Sequence, residues 1–326
     1  MSGHFLYGKK ILFIGIGFYD YDELIINKLK EFGSDVRYFS DQPKYMKFGI
    51  VQRVGKLLDI DFNKIRNNYQ KKKLNFFKDS TFDYIFVLKG DHLKTSFVKL
   101  MRDKHKISKF IMYQWDSLNR VPNALKLMPY FDSVFSFDRN DCKEYTQLKF
   151  RPLFFREIDK KNTPLLQYDL VFIGWLHADR LELSIKIEKI CHDYGLKTYF
   201  YLFTGISTYI ISLMKGIASN MSFKSLSYSK VDSYISSSRV ALDLPHPFQS
   251  GLTMRAIESI GQNKKLITTS VDIVNYDFYN PQNIFLIDRD NLKIDKAFFE
   301  APYIDIPLNI YTKYRIDNWI DDVFLG

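Results

Sequence analysis

The sequence has few of the residues on which disulfide-rich, collagenous and low-complexity proteins depend. Its 326 residues include 2 cysteines, 15 glycines and 10 prolines. Cys142 and Cys191 cannot form a disulfide framework, and neither lies in a metal-binding spacing, so we interpret both as packed thiols. A hydrophobic content of 46% and a charged content of 26% are typical of a globular chain. At this length, about two domains are expected.

The sequence also lacks an apolar run close to the roughly 20 residues that span a bilayer. The first apolar stretch, 11–18, contains two glycines and shows no small-residue cleavage pattern, which argues against a secretory signal. We therefore expect a cytoplasmic protein. Any association with a membrane is expected to be peripheral, at the inner face of the cytoplasmic membrane.

Signatures of metal and phosphate chemistry are missing as well. The six histidines show neither an HExxH motif nor a paired spacing, so no metal is expected. No GxxxxGK[ST] loop is present. Gly15 and Gly17 begin a dinucleotide fingerprint, but Asp20 stands at the third glycine position, where a carboxylate would oppose a pyrophosphate. We therefore expect no nicotinamide, flavin or other tightly bound cofactor.

Positive charge is confined to one half of the chain. Residues 1–150 contain 27 Lys and Arg against 17 Asp and Glu, whereas 151–326 contain 20 of each. The region 51–110 holds 15 basic and 6 acidic side chains, including the lysine run 71–73. This asymmetry indicates an anionic membrane surface or a nucleic acid as partner, the alternative being a solvated basic face. The region shows no apolar face of an interfacial helix, so electrostatic association without insertion is expected.

Short apolar runs alternate with amphipathic segments, a pattern typical of βα units and parallel sheets. Strands of a first sheet are predicted at 11–14, 36–39, 84–88, 110–115 and 134–137. The pattern restarts with strands predicted at 170–173, 198–203, 240–244 and 266–269, and with helices at 180–194 and 251–260.

A polar stretch with a proline, 156–167, separates the two patterns and is the predicted linker. We expect an acceptor-side domain over 1–160 and a donor-binding domain over 165–307. The segment 308–326 ends in apolar residues spaced i, i+3, i+4, i+7 and i+8, which predicts an amphipathic helix that crosses back to the first domain. The predicted fold is α/β, with two doubly wound Rossmann-like domains facing across a cleft.

The segment 240–269 carries the strongest functional signal. A strand ends in a proline-containing loop, Ser250 is a good N-cap, and the following helix directs free amides near Gly251 and Thr253 towards the strand ends. This arrangement predicts an anion site. Arg255 and Glu258 lie together on the polar side of the helix, where an exposed ion pair is the simpler alternative.

These features resemble the donor-binding region of GT-B glycosyltransferases, especially bacterial lipopolysaccharide and capsule enzymes. The shared order is a strand, a loop with Pro, Gln249 and Gly251, a helix carrying Glu258, and a strand of the type Lys-Leu-Ile-Thr-Thr. The resemblance implies that Glu258 holds the ribose hydroxyls of a nucleotide sugar. It also implies that Ser250, Gly251 and Thr253 hold the diphosphate. Many retaining members have a second Glu where this sequence has Ser250.

Four further residues complete the predicted donor site. Gly174 closes the first strand of the second domain and leaves room for the donor. Arg180, on the next helix, could neutralise the diphosphate, the alternative being a surface cation. Gln249, in the loop, and Arg255, beside Glu258 on the helix, complete the set of predicted donor-binding residues.

The catalytic candidates follow strands of the first domain, at the sheet edge expected to face the cleft. An inverting transferase needs a carboxylate or an imidazole to accept the proton of the acceptor hydroxyl. Asp116 is the first candidate, with an Asx turn or helix cap as its alternative role. His92 and Asp138 are the other two candidates.

The sequence is therefore interpreted as a glycosyltransferase that moves a sugar from a nucleotide-sugar donor to a glycan or lipid-linked glycan in surface polysaccharide biosynthesis. Helix amides and arginines, and not a metal, are expected to stabilise the leaving group. One alternative is a nucleotide-sugar 2-epimerase on the same architecture, which needs several acids in the cleft. The other is a non-enzymatic nucleic-acid-binding protein that uses the basic half, although no recognisable binding module is present.

Overall fold

The computed structural model describes residues 3–17, 20–156 and 165–326. These residues form two compact units. Unit 1 comprises the described residues up to Pro152 together with Trp319–Gly326, and unit 2 comprises those from Leu153 to Asn318. Most of the predicted linker lies outside the described residues.

Unit 1 is a parallel sheet with helices packed around it. Its strands are β1 (Lys10–Gly15), β2 (Asp35–Ser40), β3 (Tyr84–Leu88), β4 (Lys109–Gln114), β5 (Ser133–Ser136) and β6 (Leu148–Phe150). Its helices are α1 (Tyr21–Glu31), α2 (Gly49–Leu57), α3 (Phe62–Phe77), α4 (Thr95–Lys104), α5 (Asn123–Leu127) and α6 (Arg139–Glu144). The strand order is β2-β1-β3-β4-β5-β6. After Lys10, every residue of β1 is buried, which is why its apolar run is continuous and does not alternate.

Unit 2 repeats this architecture. Its strands are β7 (Tyr168–Trp175), β8 (Thr198–Phe203), β9 (Met221–Ser222), β10 (Ser238–Asp243), β11 (Lys265–Thr268) and β12 (Ile284–Leu286). Its helices are α7 (Arg180–Asp193), α8 (Ile206–Met214), α9 (Tyr228–Ser236), α10 (Met254–Gly261), α11 (Lys296–Glu300) and α12 (Leu308–Tyr311). The parallel order is β12-β11-β10-β7-β8-β9. The predicted pair of doubly wound α/β sheets is confirmed.

The last helix, α13 (Ile316–Leu325), confirms the predicted amphipathic segment. Trp319 is fully buried, with its ring centroid 4.8 Å from that of Tyr113. Lys109 Nζ donates to the carbonyls of Phe324 and Leu325 at 3.2 and 3.0 Å. These bonds satisfy carbonyls that the end of a helix leaves without intrahelical partners, so the helix end is tied to unit 1.

The structure corrects the start of the helix in the donor region. The sequence predicts Ser250 as N-cap and a helix over 251–260, whereas α10 begins at Met254 and its N-cap is Thr253. Thr253 Oγ1 accepts a hydrogen bond from Ala256 N at 3.2 Å and donates one to Asp243 Oδ1 at 2.8 Å. Thr253 therefore caps the helix because the same hydroxyl also satisfies a buried carboxylate.

The buried carboxyl group of Asp141 is expected to make the stability of unit 1 depend on pH. Its side chain is 5% exposed and accepts a hydrogen bond from Leu118 N at 2.8 Å. Burial raises the pKa of Asp141 from 3.8 to about 6. Between these values the folded state holds the proton more tightly than the unfolded chain does. The stability that Asp141 contributes therefore falls as the pH rises through this window.

Asp141→Asn is expected to raise the free energy of unfolding by roughly 1 to 3 kcal/mol near pH 7.5, and by less near pH 4.5. The amide can still accept the bond from Leu118 N but carries no charge. Urea unfolding at both pH values measures the difference. Asp79→Asn, whose side chain is 87% exposed, is the matched control and should change neither value. An equal gain at both pH values would contradict the explanation by burial.

Candidate functional site

The first βα turn of unit 1 is occupied by a carboxylate of the protein itself. Asp22 Oδ2 accepts hydrogen bonds from Gly17 N and from Tyr38 OH, the latter at 2.6 Å. A Cβ at Gly15 would collide with the same carboxyl group. In dinucleotide-binding folds the amides of this turn face a pyrophosphate. Here the Gly17 amide faces Asp22, and this contact serves the packing of α1 on β1 and β2.

Arg180 begins α7 and lies across the carboxyl end of β7. Its Nε donates to Leu244 O at 2.6 Å and its Nη1 donates to Trp175 O at 2.9 Å. One side chain thus ties the ends of β7 and β10 together. A Cβ at Gly174 would lie 3.1 Å from Arg180 Nη1, so the glycine leaves room for the arginine.

Two more arginines lie near Arg180. Burial, together with the charges of Arg289 and Arg255, lowers the pKa of Arg180 to about 10, although the charges of Asp243 and Asp179 oppose this effect. Arg289 follows β12, and its Nη1 donates to the two oxygens of Asp179 at 2.7 and 2.5 Å, while its Nη2 donates to Pro245 O. Arg289 was not among the donor-site residues predicted from the sequence. An anion bound here would relieve the repulsion among these cations.

Asp243 ends β10 and is the buried acid of this cluster. It is 2% exposed and accepts hydrogen bonds from Thr253 Oγ1 at 2.8 Å and Thr268 Oγ1 at 3.1 Å. Burial raises the pKa of Asp243, and the two hydroxyls with Arg180 oppose that effect. Because Thr253 directs its hydroxyl to Asp243, the start of α10 is fixed against the strand ends, and Thr253 itself can offer an anion only its backbone amide.

Glu258 lies on α10 and is 5% exposed. Its Oε2 is 3.7 Å from Arg255 Nη1 and its Oε1 is 4.0 Å from Arg156 Nε. The guanidinium carbon of Arg156 lies 3.6 Å from the ring centroid of Tyr228, and burial raises the pKa of the Tyr228 hydroxyl. Glu258 is therefore a buried acid held between two arginines, which differs from the exposed ion pair that the sequence left open.

The loop before α10 contains the remaining predicted donor residues. Gln249 Nε2 donates to Gly251 O at 2.8 Å and closes the loop around Ser250. Beyond the neighbouring strand β11, Thr269 and Ser270 are 9% and 4% exposed. Within the described residues, their hydroxyls have no hydrogen-bond partner. Buried hydroxyls without partners at the carboxyl end of a parallel sheet are candidates for contact with a ligand.

Charged side chains also meet at the carboxyl ends of β3 and β4 in unit 1. Lys89 Nζ lies 2.7 Å from Asp116 Oδ2 and 3.8 Å from Asp91 Oδ2. Arg120 Nη1 lies 3.3 Å from Asp116 Oδ1, and His92 Nε2 lies 4.0 Å from Asp91 Oδ2. Both oxygens of Asp116 are thus engaged by cations, whereas the imidazole of His92 has a carboxylate beside it.

A left-handed turn presents this cluster. Lys89 has φ 66° and Gly90 has φ 70°. The lysine conformation costs about 1 to 2 kcal/mol and persists only when surrounding contacts fix it. Gln114 Nε2 donates to Lys89 O at 3.0 Å, and Asn123 Nδ2 donates to Gly90 O at 3.2 Å. Strained turns of this kind are concentrated at functional sites.

Asp138, the third catalytic candidate, is a helix cap. It is 2% exposed, and its Oδ1 accepts hydrogen bonds from Asn140 N at 2.9 Å and Asp141 N at 3.3 Å, at the start of α6. Aspartate is a preferred N-cap because it satisfies free amides in this way. The geometry therefore favours a structural role for Asp138.

Helix α2 corrects the expectation that the basic region has no apolar face. Ile50, Val54 and Leu57 recur at i, i+4 and i+7 and are 71%, 46% and 85% exposed. Gly55 is the buried residue of the helix. The segment 42–58 contains four basic residues and no acidic one. The spacing is that of a core-facing stripe, so the sequence did not reveal that the stripe faces solvent.

Two features are absent from the described residues. No helix among them is long and apolar enough to cross a bilayer. No group of three or more His, Cys, Asp or Glu side chains in the described ranges is arranged to hold a metal ion.

The chain matches no protein-family model and no curated protein. Solved structures do resemble it. One is the N-terminal domain of Candida albicans trehalose-6-phosphate phosphatase, with a TM-score of 0.57, 10% identity, and coverage of 100% of this chain and 98% of that one. Another is UDP-GlcNAc 2-epimerase from Neisseria meningitidis bound to UDP-GlcNAc, with a TM-score of 0.53, 11% identity, and coverage of 97% and 99%.

A third structure, the glycotransferase of kitacinnamycin, has a TM-score of 0.49 with 10% identity, and covers 97% of this chain and 95% of that one. The structures with TM-scores above 0.5 include a trehalose-6-phosphate phosphatase domain and UDP-GlcNAc 2-epimerases. At such low identity the similarity is one of fold. The chain has a two-unit α/β fold of the GT-B-like type.

Proposed function

We propose that the chain is a glycosyltransferase that moves a sugar from a nucleotide-sugar donor to a glycan or lipid-linked glycan in surface polysaccharide biosynthesis. The observation that carries the donor part is the arginine cluster of unit 2, formed by Arg180, Arg255 and Arg289 beside the N-terminus of α10. Doubly wound sheets bind ligands at the carboxyl ends of their strands. Arginines and helix amides together suit a diphosphate.

Each residue of the cluster has a distinct role in this proposal. Arg255, Arg289 and the first amides of α10 hold the diphosphate, and Arg180 fixes the strand ends on which they stand. Glu258 accepts hydrogen bonds from the ribose hydroxyls, while Arg156 and Arg255 keep its carboxylate in position. The same arginines stabilise the charge on the departing nucleoside diphosphate, so no role is assigned to a metal.

His92 is the proposed base if the reaction inverts the anomeric centre. Its imidazole would accept the proton of the acceptor hydroxyl, and the neighbouring carboxylate of Asp91 would stabilise the imidazolium that forms. Asp116, the first candidate from the sequence, is paired with Lys89 and Arg120 at 2.7 and 3.3 Å. We assign Asp116 to positioning these cations.

A nucleotide-sugar 2-epimerase is the second candidate. The fold similarity to UDP-GlcNAc 2-epimerase and the cluster of Asp91, His92 and Asp116 favour it. An epimerase converts the nucleotide sugar without an acceptor, whereas a transferase requires one. Product analysis after incubation with nucleotide sugars alone therefore separates the two functions.

The proposal also includes peripheral contact of unit 1 with an anionic membrane. The basic excess over 51–110 supports it, and so does the exposed apolar face of α2. Lys and Arg near an anionic leaflet are each worth about 1 kcal/mol, and an apolar face adds burial to that attraction. The basic half is thereby explained without a nucleic-acid partner.

Glu258→Gln is expected to weaken nucleoside diphosphate binding about tenfold, because charge-assisted hydrogen bonds to the ribose become neutral ones. Isothermal titration calorimetry measures the affinity, and a thermal melt checks that the fold is retained. Glu300→Gln, an exposed substitution on α11, is the control and should bind like the parent protein. Unchanged affinity in Glu258→Gln would remove Glu258 from the donor site.

A further inference from the structure

Helix α8 turns its apolar side towards solvent. Ile210, Leu213 and Met214 are 49%, 52% and 84% exposed, whereas Ser212 is 5% exposed. A helix that packs on a sheet is expected to bury its apolar stripe and expose its polar residues. In α8 a serine is buried instead. The proposed function of unit 2 makes no use of this exposed apolar side.

The apolar surface extends past the end of the helix. Phe223 is 41% exposed, and its ring centroid lies 5.3 Å from that of Tyr209. Because α8 leads from β8 to β9, the edge strand, this surface lies at the rim of the sheet. We name it the α8 surface, which comprises Ile206, Ile210, Ile211, Leu213, Met214, Ile217 and Phe223.

The charges around the α8 surface are positive. Residues 194–231 contain four lysines and no Asp or Glu. Lys215 directly follows Met214, and Lys224 directly follows Phe223. Glu188 of α7 accepts a hydrogen bond from Asn220 Nδ2 at 2.7 Å. Even with this one acid counted, the four lysines of 194–231 are in excess.

This charge pattern indicates which partner would cover the surface. In a two-fold dimer the same patch meets itself, so lysines of one copy would face lysines of the other with no acid from 194–231 to pair them. An anionic lipid leaflet provides an apolar interior for the helix and negative headgroups for the lysines. The complementarity therefore favours lipid over a second copy.

We propose that the α8 surface inserts into the headgroup and acyl boundary of an anionic leaflet, with Lys215 and Lys224 at the headgroups. Interfacial helices of this kind bury their apolar side about 5 to 10 Å into the bilayer. The inference adds a second membrane-contacting surface to the one proposed for unit 1, and it requires neither nucleotide nor acceptor.

A fluorophore placed on the helix tests insertion directly. Met214→Cys in the full chain is labelled with an environment-sensitive dye. Burial raises the pKa of the Cys142 and Cys191 thiols to about 12, so the introduced thiol is the reactive one. With phosphatidylglycerol vesicles, emission should shift to the blue and be quenched by spin-labelled acyl chains. Val271→Cys, at a position 73% exposed in the same unit, should show neither effect. No shift in the labelled Met214→Cys variant, or an equal shift in both labelled variants, would overturn the proposal.

Partitioning onto the same vesicles provides the second measurement. In 1 M salt, where the Debye length is about 3 Å, the electrostatic attraction of unit 1 is screened, and the apolar face of α2 contributes equally in every variant compared. The variant Ile210→Ser, Leu213→Ser, Met214→Ser should then partition about tenfold less than the parent protein. The control variant Ile185→Ser, Val271→Ser, Leu308→Ser changes side chains 51%, 73% and 74% exposed elsewhere in unit 2 and should partition like the parent.

Two results would contradict insertion of the α8 surface into a lipid leaflet. Equal partitioning of the two triple variants would overturn the proposal. A concentration-dependent dimer of the parent protein that the α8 variant abolishes would also overturn it, because a second copy would then cover the surface. Nucleotide affinity of the α8 variant should equal that of the parent, so a failure here is separable from a failure of the proposed function.

Discussion

His92→Gln is expected to lower glycosyl-transfer turnover by about 100- to 10,000-fold while leaving nucleotide affinity unchanged. The reason is the arrangement at the ends of β3 and β4. His92 has the carboxylate of Asp91 4.0 Å from its Nε2 and is presented by the left-handed turn at Lys89 and Gly90. Loss of the imidazole removes the acceptor of the proton but leaves the donor site in unit 2 intact. The turnover is measured by steady-state kinetics, with the nucleotide sugar that binds in calorimetric titrations as the donor.

Asp116→Asn is the matched comparison, because it keeps the shape of the neighbouring candidate and removes its charge. We expect less than a tenfold loss of turnover, since both oxygens of Asp116 are engaged by Lys89 and Arg120. The opposite ranking, with a large loss in Asp116→Asn and near-normal turnover in His92→Gln, would return the role of base to Asp116. Near-normal turnover in both would remove this cluster from the chemistry.

Arg289→Met is expected to weaken nucleoside diphosphate binding about 10- to 100-fold, the loss of charge-assisted hydrogen bonds worth roughly 1.5 to 3 kcal/mol. Its Nη1 donates to the two oxygens of Asp179 and its Nη2 donates to Pro245 O. In the proposed site, its remaining N–H donors contact a phosphate near Arg180 and Arg255. The methionine retains the volume of the side chain without its charge, and calorimetry measures the affinity.

Arg239→Met is the control for this measurement. Arg239 also forms an ion pair with an aspartate, its Nε lying 3.2 Å from Asp169 Oδ1, but it stands near the start of β10, at the opposite end of the sheet. Its loss should leave nucleotide affinity unchanged. Equal weakening in both variants would mean that Arg289 acts through general charge or stability and does not contact the diphosphate.

The regular elements were predictable where local pattern and packing agree. The predicted strands over 84–88 and 198–203 match β3 and β8 residue for residue. The spacing of apolar residues near the C-terminus identified α13. The start of α10 was misplaced because Ser250 and Thr253 are both good caps. The choice between them depends on Asp243, which is ten residues away in sequence from Thr253 and accepts a hydrogen bond from its hydroxyl.

The site was harder to predict because its partners come from distant segments. Arg289 follows β12, a strand of three residues. So short an apolar run does not predict a strand from sequence, so Arg289 could not be recognised as a charged residue at a strand end. That position was the criterion by which the other site candidates were chosen. Arg156 meets Glu258 across 102 positions of sequence. The apolar stripes of α2 and α8 have the spacing of buried helices, and only the tertiary structure shows that they face solvent.

The most direct test of the central claim is calorimetric titration of the full chain with a panel of nucleoside diphosphates, with inorganic pyrophosphate as reference. We expect one of them to fill a single site more tightly than pyrophosphate does, because Glu258 adds contacts to the ribose. We also expect Arg289→Met to weaken this binding and Arg239→Met to leave it unchanged. Failure of every nucleoside diphosphate to bind more tightly than pyrophosphate would contradict a nucleotide-sugar site in unit 2.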